Sequence, residues 1–298
     1  MERIFKFWFL KVSRGYSVPM SITNWLVVFI LALANNGNIF FGILALIGFI
    51  FAHLGTNVFD DVVDEYFKVP KQKYKSTHLE NGETNLKTIL ILAIVYFAIA
   101  LLIGGYLFLK MGFPVLILAV IGGGIALLYP KLNNFALGEL AVGLTFGPLL
   151  FAGIYFVMTG NITSQVIFVS IPVAIFTIFV LMIHALMDYD FDIKSGKKTF
   201  AILAGNKNTA LNLIFLMVLA AYILTIILVF CGYLPKLALI IVFSGYNLGP
   251  LYRKMKIYNK NSCHDDLEFI KNFASARNTG TIYCLCLSLA LVISYLIN

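Results

Sequence analysis

Long runs of apolar residues alternate along the chain with short polar segments. An α-helix needs about 20 consecutive apolar residues to cross the hydrocarbon core of a bilayer. The pattern therefore predicts an all-α membrane protein with nine transmembrane helices, folded as a single domain over residues 1–298. The predicted spans are residues 18–34, 39–56, 87–109, 112–129, 138–159, 165–187, 209–231, 235–252 and 278–297.

The composition excludes a water-soluble globular protein. Hydrophobic residues make up 60% of the 298 residues and charged residues only 12%, and the mean hydropathy is +0.92. A soluble chain of this length could not bury so much apolar surface. We therefore expect membrane lipids around the helices and no nucleic-acid partner.

The charged residues lie almost entirely on one side of the predicted bundle. With nine spans, all but two of the 22 Lys and Arg residues share the side of the N-terminus, and the exceptions are Lys110 and Lys236. The positive-inside rule assigns that side to the cytoplasm, which predicts a multi-pass protein of the plasma membrane. All 14 Asp and Glu residues fall on the same side. The positive-inside rule does not require the acidic residues to share the side of the basic ones. Their placement therefore predicts a functional site at the cytoplasmic helix ends.

A first group of polar residues closes the second predicted span. Its members, within residues 57–65, are Asn57, Asp61, Asp64 and Glu65. On a helix these positions share one face, because they follow one another at steps of three and four residues. Asp60 is turned by about 100° from Asp61, so we do not expect it in the same site. Asp64 and Glu65 are alternatives for the third acidic position, and we favour Asp64 because it is seven residues from Asn57.

A second group closes the sixth predicted span, at residues 184–192. His184, Asp188 and Asp192 repeat the four-residue step, and Asp190 lies off this stripe. Like charges at this spacing destabilise a helix, and their desolvation at a membrane boundary adds to the cost. Hydrated helix ends would explain one such group, but two groups with matched spacing on the same side predict a bound counter-ion.

The chemistry of these side chains favours Mg²⁺ as the counter-ion. Carboxylate oxygens without Cys or paired His ligands suit a hard cation that also binds waters and substrate phosphate oxygens. The predicted metal ligands are Asn57, Asp61, Asp64 or Glu65, Asp188 and Asp192. We expect the same residues to be catalytic, since they would hold the metal against a leaving diphosphate.

Lysines follow both acidic groups. Lys68 and Lys75 come after the first, and Lys194 and Lys198 after the second. Lys side chains neutralise the spare oxygens of a diphosphate, which makes all four candidates for substrate binding. Positive-inside topology and contact with anionic lipids explain the same lysines without a substrate.

Together these elements predict the transfer of a prenyl group from an allylic polyprenyl diphosphate. Metal ions and lysines stabilise the departing diphosphate. A helix bundle in a membrane offers an apolar channel for the isoprenoid tail. Its interior also keeps water from the electron-poor allylic carbon until an acceptor attacks.

The two acidic motifs resemble those of the UbiA superfamily of intramembrane prenyltransferases. That family carries an N-x-x-x-D-x-x-x-D motif after its second helix and D-x-x-x-D after its sixth. Asn57 and Asp61, followed by Glu65 or Asp64, match the first motif, and Asp188 and Asp192 match the second. The resemblance implies a bundle of nine helices with its active site on the cytoplasmic side, and dependence on Mg²⁺.

Further stretches resemble the branch of the family that prenylates 1,4-dihydroxy-2-naphthoate in menaquinone synthesis. SRGYSVPMS at 13–21 places Arg14 at the basic position of the family's first-helix segment, which makes Arg14 a candidate substrate-binding residue. His184, which stands where the family commonly has Asn, is a second candidate. LYPKLNNFALGEL, which begins at residue 128, adds Tyr129 and Glu139 to the candidate substrate-binding residues. Glu139 has two interpretations, as an electrostatic cap of a helix start or as a residue that orients the acceptor.

Two alternatives remain open at this stage. The same metal site serves UbiA-type enzymes that act on hydroxybenzoate, haem or glycerol-phosphate lipids. A secondary transporter is a more distant alternative, but it would place its carboxylates near the bilayer midplane, whereas these lie at helix ends.

Overall fold

The computed structural model describes residues 8–67, 84–260 and 266–297. These residues form thirteen α-helices: α1 (Trp8–Val12), α2 (Val18–Leu33), α3 (Ile39–Tyr66), α4 (Leu86–Met111), α5 (Phe113–Leu132), α6 (Gly138–Leu144), α7 (Leu150–Thr159), α8 (Ser164–Met187), α9 (Tyr189–Lys194), α10 (Phe200–Leu203), α11 (Lys207–Phe230), α12 (Leu248–Tyr258) and α13 (Asp266–Ile297). Two 3-10 helices, Gly15–Ser17 and Lys236–Asn247, and a π-helical turn at Thr145–Leu149 complete the helical elements. The all-α prediction is confirmed.

Eight helical segments of the described chain are long and apolar enough to cross a membrane. They are Gly15–Leu33, Ile39–Tyr66, Leu86–Met111, Phe113–Leu132, Gly138–Thr159, Ser164–Met187, Lys207–Phe230 and Leu267–Ile297. Eight of the nine predicted spans are thus confirmed, and the protein is a multi-pass integral membrane protein. The predicted span 235–252 instead coincides with the 3-10 helix Lys236–Asn247 and the start of α12.

Polar residues just before the apolar runs determine where several spans begin. The side chains of Asn38, Asn85 and Asn206 each accept the backbone N–H three residues further on, at 3.1, 2.9 and 2.9 Å. Such N-caps satisfy backbone donors that have no partner inside the helix. This local chemistry explains why α3, α4 and α11 begin within two residues of their predicted starts.

Helix α8 is the most buried of the eight segments, since 67% of its apolar 18-residue stretch lies inside the protein. Between membrane helices, close packing and hydrogen bonds replace the hydrophobic effect as the main source of association. Asn24 in α2 donates to the Thr177 hydroxyl of α8 at 3.0 Å. The rings of Phe176 in α8 and Tyr283 in α13 stack with centroids 4.1 Å apart. Helix α8 therefore forms a rigid centre against which α2 and α13 are held.

Helices α4 and α5 lie at the periphery, since only 17% and 11% of their apolar 18-residue stretches are buried. Helix α3 packs against both of them. A cavity opens between this peripheral group and the core around α8, with residues from α3, α4, α5 and α8 in its wall. The division into a packed core and a looser outer group thus creates the space in which the candidate site lies.

Candidate active site

The cavity has a volume of about 950 Å³ and combines a polar end with a long apolar wall. On α4 its lining residues run from Ile89 to Leu107. That distance corresponds to about 27 Å of helix at 1.5 Å per residue. Asp61 and Asp64 of the first motif and Asp188 and Asp192 of the second line the end that lies at the termini of α3 and α8. The shape suits a ligand with a charged head and a long apolar tail.

Arg14 organises the first acidic motif. Its Nη2 atom donates to Asp61 Oδ1 at 2.7 Å and to Asp60 Oδ2 at 3.0 Å. Asp60 is only 5% exposed and lines the cavity. The expectation that Asp60 lies away from the site is therefore wrong. The physical reason is tertiary, because the segment before α2 folds over the end of α3 and offers one guanidinium to both carboxylates.

The backbone of Arg14 is also unusual. Its φ of 52° and ψ of 43° lie in the left-handed region, which is unfavourable for a residue with a Cβ atom. The Ser17 hydroxyl and backbone N–H both donate to the Arg14 carbonyl at 2.8 Å, and this stabilises the turn. Burial disfavours the charged guanidinium, but Asp61 and Asp60 outweigh it and hold the pKa of Arg14 well above its ordinary value.

Asn57 is held by the same N-terminal segment. Its Nδ2 atom donates to the Ser13 carbonyl at 3.0 Å and to the Ser17 hydroxyl at 3.4 Å. This leaves the amide oxygen as the atom that Asn57 can offer to a ligand. Asn57 and Asp64 line the cavity, whereas Glu65 does not. The structure thus separates the two alternatives for the third acidic position by their placement.

The second motif is built on a break between two helices. Helix α8 ends at Met187, Asp188 stands between the helices, and α9 begins at Tyr189. Asp188 and Asp192 line the cavity, and only 2% and 5% of their residue surfaces are exposed. His184 Nδ1 lies 3.4 Å from Asp188 Oδ2.

Asp190 is absent from the cavity wall, as expected. Its carboxylate pairs with Lys207 at the start of α11. The break between α8 and α9 therefore turns Asp188 and Asp192 toward the cavity and Asp190 toward solvent.

The lysine that lines the cavity after the second motif is not one of the two that were predicted. Lys197 lines the cavity, whereas Lys194 and Lys198 do not. The chain reverses at Gly196, whose φ of +74° favours glycine, and the Lys197 N–H then donates to the Asp192 carbonyl at 3.0 Å. Lys198 instead donates its backbone N–H to the Asn134 carbonyl at 3.2 Å. The turn conformation, which the basic run K-K does not reveal, decides which lysine faces inward.

Lys68 and Lys75 fall outside the described residues. Two other polar residues of the wall were missed by sequence reasoning. Arg277 of α13 lines the polar end, and its guanidinium donates to the Tyr16 carbonyl at 3.0 Å. His53 places its ring nitrogens 3.1 and 2.8 Å from the hydroxyls of Ser17 and Ser21. A basic residue within a largely apolar helix was the available signal for Arg277.

Tyr129 and Glu139 both line the cavity, on the side formed by α5 and α6. Tyr129 lies near the charges of Asp60, Arg14, Glu139 and Asp64. Glu139 is 4% exposed, and the backbone N–H groups of Glu139 itself and of Phe200 lie against its carboxylate. Glu139 therefore bridges the start of α6 and the start of α10.

The donor set of the polar end fits Mg²⁺ that is shared with a substrate. Within residues 8–67, 84–260 and 266–297, no three acidic, His or Cys side chains are close enough to hold a metal ion by themselves. The acidic residues of both motifs that line the cavity nevertheless offer oxygen ligands to one shared space. Mg²⁺ is commonly bound by one or two carboxylates together with phosphate oxygens and waters. Arg14, Lys197 and Arg277 add positive charge around the same space.

Comparison with known proteins identifies the class. The model of the UbiA prenyltransferase family matches residues 23–276, which is most of the chain. The protein therefore belongs to the UbiA family, and it is a prenyltransferase. This confirms the resemblance carried by the two acidic motifs.

Two curated relatives differ in the acceptor that their names give. The chain is 29% identical over 213 residues to the 1,4-dihydroxy-2-naphthoate octaprenyltransferase of Bacillus subtilis, a match that covers 70% of this chain and 67% of the relative. It is 25% identical over 231 residues to a 4-hydroxybenzoate octaprenyltransferase of Francisella tularensis, which covers 76% of this chain and 79% of the relative.

Solved structures share the fold at low sequence identity. A UbiA homologue from Aeropyrum pernix matches with a TM-score of 0.66 and 17% identity, over 92% of this chain and 97% of that one. A UbiA homologue from Archaeoglobus fulgidus bound to DMAPP and Mg²⁺ matches with a TM-score of 0.61 and 15% identity, over 94% and 99% of the two chains. These matches establish a UbiA-type bundle.

Proposed function

We propose that the protein transfers a polyprenyl group from an allylic polyprenyl diphosphate to an aromatic acceptor, with Mg²⁺ as cofactor. The observation that carries this proposal is one cavity that joins two acidic motifs to an apolar wall about 27 Å long. The acceptor that we propose is 1,4-dihydroxy-2-naphthoate, which would place the enzyme in menaquinone biosynthesis. The relative from Bacillus subtilis supports this choice.

The side chains of the polar end would bind and orient the diphosphate. Asn57, Asp61, Asp64, Asp188 and Asp192 would hold Mg²⁺, with Asp60 and Arg14 completing the charge balance of the first motif. When bound, Mg²⁺ supplies stabilisation of the negative charge that develops on the diphosphate. Lys197 and Arg277 would neutralise diphosphate oxygens that the metal does not contact.

The apolar wall would hold the isoprenoid tail and exclude water from the allylic carbon. The bond between that carbon and the diphosphate oxygen breaks, and its electron pair leaves with the diphosphate. A carbon atom of the electron-rich aromatic ring supplies the pair for the new bond. The ring then loses the group that this carbon carried, as a proton or as CO₂, and regains its aromaticity. The residues of the chain thus contribute by position and electrostatics, without forming a covalent intermediate.

An assay of the purified protein tests this function. Geranylgeranyl and octaprenyl diphosphate would be offered with Mg²⁺ and one of three acceptors: 1,4-dihydroxy-2-naphthoate, 4-hydroxybenzoate or a glycerol-phosphate lipid. We expect a prenylated naphthoquinol product that is lost when Mg²⁺ is chelated. Turnover of 4-hydroxybenzoate alone would identify it as the acceptor in place of 1,4-dihydroxy-2-naphthoate. Turnover of the lipid alone would refute the proposal that the acceptor is aromatic.

We also propose nine spans in a single domain over residues 1–298, with the acidic motifs at the cytoplasmic face of the plasma membrane. The distribution of basic residues supports this orientation. The 3-10 helix Lys236–Asn247 has twelve residues, and at a rise of 2 Å per residue it extends about 24 Å. Followed by α12, it has the length to form the remaining crossing.

Thiol labelling tests this topology in a variant without native cysteines. Single cysteines at Gly196 and Asn161 should react with an impermeant reagent from the cytoplasmic and the external side, respectively. Cysteines at Lys236 and Lys260 should react from opposite sides if the 3-10 segment crosses the membrane. Labelling of both from one side would leave eight spans and refute the count of nine.

A further inference from the structure

The Ser17 hydroxyl connects the turn that carries Arg14 to helix α3. Its Oγ atom lies 2.8 Å from the Arg14 carbonyl oxygen, 3.1 Å from His53 Nε2 and 3.4 Å from Asn57 Nδ2. A serine hydroxyl donates one hydrogen bond, and its oxygen accepts others. Since a carbonyl oxygen only accepts, the Ser17 proton is directed at Arg14, and the Ser17 oxygen receives the bonds from α3.

These contacts fix the tautomer of His53. Because the Ser17 proton is bound to the Arg14 carbonyl, His53 Nε2 carries the hydrogen that binds Ser17 Oγ. His53 Nδ1 then accepts from the Ser21 hydroxyl at 2.8 Å. In the opposite tautomer Ser17 would donate to His53, and its oxygen would face the Arg14 carbonyl at 2.8 Å without a proton between them. The tautomer with Nε2–H makes all three hydrogen bonds and is therefore favoured.

An aromatic contact holds the His53 ring as well. The ring meets that of Phe146, from the π-helical turn, edge to face, with centroids 4.9 Å apart and an interplanar angle of 90°. His53 and Phe146 both line the cavity. The imidazole is thus bound at both nitrogens and packed against Phe146, so it cannot turn without breaking these contacts.

The turn depends on such bonds because its backbone conformation is unfavourable. The φ of 52° at Arg14 lies in the left-handed region, and a residue with a Cβ atom remains there only when its surroundings hold it. Ser17 binds the carbonyl of Arg14 itself, so the bond from His53 acts on the strained residue. The guanidinium of that residue lies 3.0 and 2.7 Å from the carboxylates of Asp60 and Asp61. A displaced turn would move the guanidinium away from both.

We propose that His53 is a positioning residue of the reaction. Through Ser17 it holds the turn in which one guanidinium, that of Arg14, spans the two carboxylates of the first motif. In this role His53 exchanges no proton with the substrates. The inference rests on the proposed function, which assigns the first motif to the diphosphate, and it adds a residue that lies outside both acidic motifs.

Two substitutions separate the Nε2–H donor from the rest of the His53 side chain. The amide nitrogen of Gln is as many bonds from Cβ as Nε2 of His, so His53→Gln can still donate to Ser17. The amide of Asn ends one bond earlier, so His53→Asn keeps the bond to Ser21 and loses the one to Ser17. We expect kcat/KM for the prenyl diphosphate to stay within about twofold of wild type in His53→Gln. It should fall about 3- to 10-fold in His53→Asn, as for the loss of one neutral hydrogen bond.

A double-mutant cycle tests whether the effect passes through Arg14. His53→Asn should lower kcat/KM in the wild-type background, but by less than about twofold in Arg14→Gln. Ser17→Ala should give the same pattern, and it supplies an independent result if His53→Asn folds poorly. Thr225→Val is the control, because it also removes a buried hydroxyl, bound to Tyr283 at 2.6 Å, but does not line the cavity. Its kcat/KM should equal that of wild type.

Nitrogen NMR of the full-length protein in micelles, with isotope-labelled histidine, measures the tautomer without any turnover. The spectrum of His53→Gln identifies the signals of His53 among those of the four His residues. We expect a neutral ring with its hydrogen on Nε2.

Each of these measurements can overturn the proposal. A hydrogen on Nδ1 would mean that Ser17 donates to His53 and not to Arg14. Equal losses in His53→Gln and His53→Asn would assign His53 to packing alone, and equal losses from His53→Asn with and without Arg14 would show that it acts independently of the guanidinium. Failure of the proposed function is distinguishable. The variants are assayed with whichever acceptor wild type turns over, so a wrong acceptor is detected in wild type and a wrong role of His53 only in the variants.

Discussion

The two acidic motifs share a four-residue spacing but are built in different ways. The first lies on α3, an unbroken helix of 28 residues, and its Asp60 and Asp61 carboxylates are paired with Arg14. The second spans the break between α8 and α9, and Asp188 and Asp192 are only 2% and 5% exposed. In the first motif a partner from another segment balances the charge. In the second motif the carboxylates lie at a break between two helices, and His184 Nδ1 lies 3.4 Å from Asp188 Oδ2.

This difference indicates distinct roles within one site. An ion pair between side chains can exchange partners when a cation or substrate binds, so the first motif can rearrange. The backbone of the second motif is held by hydrogen bonds such as the one that the Asp188 N–H donates to the His184 carbonyl at 3.1 Å. Its buried carboxylates lie where desolvation strengthens electrostatic interactions. We therefore expect the second motif to tolerate substitution less well than the first.

The largest effect is expected from Asp188→Asn, which removes a buried carboxylate from the second motif. Losing a ligand that supports the leaving diphosphate should lower kcat by about 10³-fold or more. The loss for Asp61→Asn should also reach several orders of magnitude but remain smaller, because Asp60 and Arg14 stay in place. Steady-state kinetics and thermal unfolding of the purified variants measure both quantities.

The matched control for Asp188→Asn is Asp190→Asn, since Asp190 lies in the same segment but pairs with Lys207 away from the cavity. It should retain turnover close to wild type. Equal losses at positions 188 and 190 would mean that the substitution damages the fold of the break rather than the site.

A smaller effect is expected from Arg14→Gln, which breaks the first motif and leaves the second intact. Two neighbouring carboxylates then lose their shared partner, and kcat/KM should fall roughly 10- to 100-fold. Arg14→Lys should recover only part of the activity, because an ammonium cannot reproduce the planar fork of a guanidinium. Full activity in Arg14→Gln would show that the ion pair has no part in the reaction.

The third prediction compares two neighbours at the end of α3. Asp64 lines the cavity and Glu65 does not, so Asp64→Asn should need about tenfold more Mg²⁺ for its half-maximal rate, through the loss of one carboxylate. Glu65→Gln should remain within about twofold of wild type. Mg²⁺ titrations of the two variants side by side measure this difference. The reverse order would assign the third acidic position to Glu65.

The smallest effect is expected at the turn after the second motif. Lys197→Gln should raise the KM for the prenyl diphosphate by roughly 3- to 10-fold, since one cation near the diphosphate is lost. Lys194→Gln is the control with the same chemical change outside the cavity. Its KM should not move, and equal shifts in both variants would point to a general effect of net charge.

Helical periodicity predicts both acidic motifs but wrongly leaves Asp60 out of the first one. The stripe of Asn57, Asp61 and Asp64 follows from helical periodicity, and each of these residues lines the cavity. Periodicity alone excluded Asp60, because it considers one helix in isolation. Arg14 lies 46 residues away in the chain and brings Asp60 into the wall. The error therefore comes from a partner that local spacing cannot reveal.

The class of protein, most helical segments and the two acidic motifs follow from the amino-acid sequence, because apolar runs, N-caps and four-residue steps act within single segments. Which polar groups share the cavity depends on the tertiary structure. It selected Lys197 over Lys198 through the turn at Gly196, and it joined Glu139 to the start of α10. It also gave the segment Lys236–Asn247 a 3-10 conformation that its hydropathy does not indicate. These features depend on contacts between distant segments. A local sequence pattern does not reveal the free energies of such contacts.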